Sequence, residues 1–64
     1  MTVKELKKGD YFTKKNIEYP NENQVFIRAE YDRTEKKYVC YRFSDVNDIQ
    51  YIKGSKEVFT DFIF

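Results

Sequence analysis

The sequence contains no histidine and no tryptophan, and it has only one cysteine, one methionine, one proline and two glycines. Each shortage excludes something. Without histidine, no side chain has an ordinary titration near neutral pH, so the usual proton shuttle and the imidazole metal ligand are both missing. A single cysteine permits no internal disulfide and, with no histidine beside it, no structural zinc site within one chain. Two isolated glycines cannot build a phosphate-cradling loop. Apolar runs stop at three or four residues, far short of a membrane helix and too short for a signal peptide. An excess of one charge sign is also lacking. Twelve bases face eleven acids for a net charge of +1, which argues against an arm that binds polyanions by bulk charge alone. A lone cysteine with no targeting segment fits a reducing cytoplasm, and that is the expected location.

What is present points to β-structure. The chain has 64 residues, enough for one small domain spanning 1–64. Val and Ile occur five times each, Tyr and Phe six times each, and Leu and Ala once each. β-branched and aromatic side chains fit a pleated, half-buried surface, whereas helices favour Ala and Leu.

The order of elements can be read from the breakers. Val3 and Leu6, spaced like one helical turn, open the chain, and Gly9-Asp10 marks a sharp reversal. Tyr11-Phe12-Thr13 reads as a first strand, and Glu18 to Gln24, around Pro20, as a loop. Val25 to Tyr31 alternates with period two: Val25, Ile27, Ala29 and Tyr31 on one face, Phe26, Arg28, Glu30 and Asp32 on the other. A polar tip at Asp32–Lys36 leads into a return strand, Lys37 to Phe43, to make a hairpin. Both faces of that return strand carry apolar residues, so its inward face is left open. Ser44 to Asp48 reads as a turn, Ile49 to Lys53 as a short strand, Gly54-Ser55-Lys56 as a tight connection, and Glu57 to Phe64 as a last strand. Five short strands in so short a chain suggest an all-β, five-stranded SH3-like barrel, with an OB-type barrel or an open β-meander as alternatives.

A resemblance supports that reading. Leu6-Lys7-Lys8-Gly9-Asp10-Tyr11-Phe12 is similar to the lead-in before the first strand of many small barrels. Phe26 to Arg33, then Lys36-Lys37-Tyr38 with Cys40, Phe43 to Asn47, Lys53-Gly54 and Glu57 to Phe62 together resemble a group of short SH3-like proteins from gut bacteria and their mobile elements. The resemblance implies a bacterial, mobile-element setting and brings no activity with it.

Candidate chemistry is sparse. Cys40 lacks the base a nucleophilic thiol needs, and a mid-strand cysteine usually serves as a small buried hydrophobe, so a hydrolase or transferase built on it is only a remote reading. Asp45-Val46-Asn47-Asp48 and Asn21-Glu22-Asn23 offer oxygen ligands without the count or spacing of a calcium loop, and they read as solvated turns. Glu30 and Asp32 read as a solvated sheet face. No catalytic residue, metal ligand or cofactor is expected, and an enzyme is not. The expected function is an interaction module that binds another protein or a second copy of itself. Self-association is expected through the last strand, where Phe59 and Ile63 are the candidate contacts and Asp61 is the main charge guarding its middle against edge pairing. The alternative is a nucleic-acid-binding barrel. Arg28, Arg33, Lys36, Lys37 and Arg42 could form a basic patch on the central hairpin, with Tyr31, Tyr38 or Tyr41 as stacking platforms. Glu30, Asp32 and Glu35 in the same hairpin allow ordinary opposite-charge pairing instead.

Overall fold

The computed structural model describes all residues from Met1 to Phe64. It is all-β: a four-stranded antiparallel open sheet with one short 3-10 turn, Val3–Glu5. The strands are β1 (Tyr11–Thr13), β2 (Val25–Asp32), β3 (Lys37–Arg42) and β4 (Asp45–Ile52), and they lie side by side in chain order. No helix is long and apolar enough to cross a membrane.

Local chemistry explains each boundary. The Glu5 carboxylate accepts hydrogen bonds from the Thr2 N–H and hydroxyl, both at 2.8 Å, which ties off the opening 3-10 turn. Gly9 has φ 94°, a left-handed conformation that a Cβ would oppose. The β2–β3 turn is held by Asp32, whose carboxylate accepts the N–H groups of Thr34 (2.9 Å) and Glu35 (3.1 Å). It closes on Lys36 at φ 57°.

The strand count differs from the five expected. Residues Glu57 to Phe64 do not form a strand. They contribute single bridges, Thr2 with Glu57 and Thr13 with Phe59, and the segment beyond Phe59 folds back across the sheet. The Ile63 N–H donates to the Glu18 carbonyl at 2.8 Å, and the Phe64 ring meets Phe43 and Tyr11 at 4.9 and 6.2 Å. The expected turn at Ser44–Asp48 is also corrected: the turn occupies Phe43 and Ser44 alone, and β4 begins at Asp45. A bulge between Tyr41 and Arg42 allows this, by letting Arg42 pair with Asp45 while Tyr41 pairs with Ile49.

The core lies on one side of the sheet. Val3 and Leu6 from the opening turn, Phe12, Phe26, Cys40 and Ile52 from the four strands, and Val58 from the C-terminal segment form one buried cluster, with Tyr38 packed against it. Phe12 and Phe26 stack at 5.8 Å with their planes 25° apart. The inward face of β2 is therefore the one that also carries Arg28. That guanidinium is accommodated by lying over the Tyr38 ring, 4.4 Å from its centroid. A second bulge, between Arg28 and Tyr31, then brings Tyr31 opposite Tyr38, with ring centroids 4.9 Å apart.

Candidate interaction surfaces

Two surfaces stand out once the faces are assigned. The first is the outer face of the sheet, opposite the core. The register aligns Tyr11 with Ile27, Ile27 with Tyr41, and Tyr41 with Ile49, an apolar row crossing all four strands. The neighbouring row holds Val39 opposite Tyr51. By alternation Val25 and Ala29 share this face, and so does Lys37, the charged residue at the start of β3. The C-terminal segment covers one end of it: Val25 is fully buried, and Phe43 and Phe64 pack around Tyr11. The other end is open, with Ile49 53% and Tyr51 49% exposed. The molecule measures only 15 Å along its thinnest axis, and apart from the C-terminal segment it has no further element to lay over this face.

The second surface is basic and lies where the two edges of the sheet approach each other. Just past the end of β1, Lys14 reaches across to the Gln50 side chain of β4, with its ammonium 4.6 Å above the Phe26 ring. An open cleft of about 510 Å³ on one side of Lys14 is also lined by Lys37, Lys53, Lys56 and Ser55. A smaller cleft of about 260 Å³ on its other side is lined by Lys15, Asn23 and Arg42 among others. No Asp or Glu lines either cleft. Arg42 lies over Phe26 as well, 4.9 Å from its centroid, with its Nε donating to Asp48 at 2.8 Å and its NH1 to the Asn23 carbonyl. Partial burial holds the Lys14 ammonium below its usual pKa, and the nearby positive charges of Arg42 and Lys56 push it the same way.

The five hairpin cations do not form one patch. Arg33 and Lys36 are exposed in the β2–β3 turn, and Lys37 begins β3 beside it. Arg42 stands at the far end of β3, roughly 17 Å away at about 3.4 Å per residue. Arg28 faces the core side on Tyr38, with its Nε buried and without a hydrogen-bond partner. Nearby carboxylates are engaged: Glu30 pairs with Lys8, and Asp32 caps the turn. Of the candidate contacts for self-association, Phe59 is half-buried and its main chain is already paired with Thr13 in both directions, at 2.9 and 3.0 Å. Ile63 is 61% exposed. The Lys14–Lys56 clefts escaped the sequence reading because their cations come from segments far apart in the chain, and no local charge run announces them.

Cys40 is fully buried beneath the sheet, and burial pushes its thiol up to about 11. A folded-state pKa above the unfolded one leaves stability intact below about pH 9 and erodes it as pH climbs toward 11, because only the unfolded chain releases the proton freely. We expect an aromatic disulfide reagent at pH 8 to label Cys40 only in denaturant; prompt labelling of the native protein would show that the thiol reaches solvent. Nowhere do three or more Cys, Asp or Glu side chains gather as metal ligands would. Compared with known proteins, the chain matches no family model, no curated sequence and no solved structure, so its own side-chain arrangement carries the functional argument.

Proposed function

We propose that the chain is a non-enzymatic interaction module whose outer sheet face docks on protein, with a second copy of the same chain as its partner. The observation that carries this is the apolar row Tyr11–Ile27–Tyr41–Ile49, which crosses the whole sheet and ends on an exposed strand. Contiguous exposed apolar surface of this kind marks association sites in soluble proteins. A two-fold axis through the face would set each row against its twin at the roughly 10 Å spacing of packed sheets, and two-fold pairing is the commonest closed assembly. Such a dimer buries area that a domain of this size can rarely supply from its own core.

The SH3-like reading belongs to the same proposal. It is supported by the return of residues 57–59 to both the N-terminal segment and β1, which curls the meander toward closure. A buried, reduced thiol fits the cytoplasmic setting.

Sedimentation equilibrium at micromolar concentration tests the dimer. The expected result is a species of twice 7.8 kDa, shifted to monomer by Ile49→Lys with an unchanged circular dichroism spectrum. A monomer at every concentration overturns the proposal.

A further inference from the structure

The net charge of +1 conceals a segregation. The two clefts that meet at Lys14 gather six of the twelve cations: Lys14, Lys15, Lys37, Arg42, Lys53 and Lys56. The rest of the molecule is left with six cations against eleven carboxylates, a net −5. A near-neutral protein with this division presents a strongly positive groove in an otherwise acidic surface, and such a field concentrates anions locally whatever the total charge.

Three features narrow the anion. Two clefts share Lys14 as a wall, so the basic surface is longer than a lone phosphate ion requires and suits a chain of anionic groups. Its one guanidinium is already committed, to Asp48 and to the Asn23 carbonyl. The planar fork that favours carboxylates is thus occupied, and the remaining cations are ammonium groups, point charges that suit phosphate, of which Lys14 also donates to Gln50. Finally, Lys14 and Arg42 cover the Phe26 ring, so Tyr51 is the one aromatic residue lining the clefts whose ring is left open. Recognition in the groove therefore follows the backbone, with at most one base stacked on Tyr51, a contact that does not discriminate sequence.

We infer that this groove binds the phosphodiester backbone of single-stranded nucleic acid without sequence preference. The groove meets the outer apolar face at Tyr51, and its test reads salt dependence rather than oligomeric state, so the two proposals fail separately.

The test is fluorescence anisotropy with a labelled oligo-dT and an oligo-U of equal length, titrated at several salt concentrations. Each phosphate contact on a single strand contributes about −0.7 to the log–log salt slope, so five ammonium groups set a limit of about −3.5. Replacing Lys14, Lys53 and Lys56 together by Gln is expected to flatten the slope by about 2, since three contacts are lost. It should also weaken binding at low salt at least tenfold. Arg33→Gln with Lys36→Gln, at the hairpin tip, is expected to change neither. Circular dichroism checks the fold of each variant. Three outcomes would overturn the inference: no binding at low salt, loss on the tip substitutions rather than the groove ones, or equal displacement by poly-glutamate, which would make the groove an acidic-peptide site.

Discussion

Phe12→Ala is expected to leave the chain unfolded or nearly so at room temperature. Phe12 is fully buried at the centre of the cluster, stacked on Phe26 and surrounded by residues from every strand and both end segments. Removing a buried Phe side chain costs about 3–5 kcal/mol, from lost transfer energy and the cavity left behind. A domain of 64 residues has a total stability of about 3–10 kcal/mol, at roughly 0.05–0.15 per residue. One substitution therefore removes much or all of it. A urea titration followed by circular dichroism checks this. The native chain should give a cooperative transition, and Phe12→Ala a transition near zero denaturant or none. Phe12→Leu keeps most of the volume and should fall between them. A midpoint unchanged by Phe12→Ala would mean that the stacked pair is not the centre of the core.

A comparably large effect is expected from shortening the C-terminal segment, and it should depend sharply on where the cut falls. A chain ending at Lys56 loses Val58, which is fully buried, together with the two bridges to Thr2 and Thr13 and the 2.7 Å hydrogen bond from the Val58 N–H to the Met1 carbonyl. Val3, Leu6 and Phe12 would then face water on one side, and this chain is expected to be unfolded. A chain ending at Asp61 keeps all of those contacts and loses only Phe62, Ile63 and Phe64. The rings of Phe64 with Phe43 and Tyr11 are edge-on pairs worth roughly 0.5–1.5 kcal/mol each beyond area burial, so this chain should fold with a lowered melting temperature. Thermal denaturation of the two truncations decides the matter. If the chain ending at Lys56 melts cooperatively near the native temperature, the four strands are sufficient and Val58 is dispensable.

Much of the frame was legible from breakers and period. Gly9-Asp10, the loop to Gln24 and the tip at Asp32–Lys36 each mark real boundaries, because turn residues act locally. The fate of Glu57–Phe64 was not legible. Its alternation of Val58, Thr60, Phe62 and Phe64 satisfies a strand pattern, yet only Glu57 and Phe59 find bridging partners, and the aromatics beyond pack as a covering strip. Pairing depends on which edge is within reach, and no local pattern carries that. The start of β4 was hidden for a similar reason. Asp45, Asn47 and Asp48 look like turn residues, but a bulge and the Arg42–Asp48 bond draw them into the sheet. Of the basic groove only Lys37 and Arg42 were legible; its other lysines come from distant parts of the chain, and the apposition of Lys14 with Lys53 and Lys56 exists only after folding.

An apolar outer face has a consequence for how securely the strands are aligned. In most sheets a one-residue slip throws every core side chain into water, so polarity itself rejects the error. Here a slip along β2 would bring Val25 and Ile27 to the core side in place of Phe26 and Arg28, and along β3 Val39 and Tyr41 in place of Cys40 and Arg42, so apolar residues would replace a set that includes two arginines. Polarity offers little resistance to that exchange. The resistance comes from features that allow only one alignment: the bulges at Arg28–Tyr31 and Tyr41–Arg42, the Asp32 carboxylate gripping two backbone N–H groups, and the left-handed Lys36 that ends the turn. The β2–β3 tip, which contributes nothing to the core, thus shares with the two bulges the choice of which side of the sheet becomes the core.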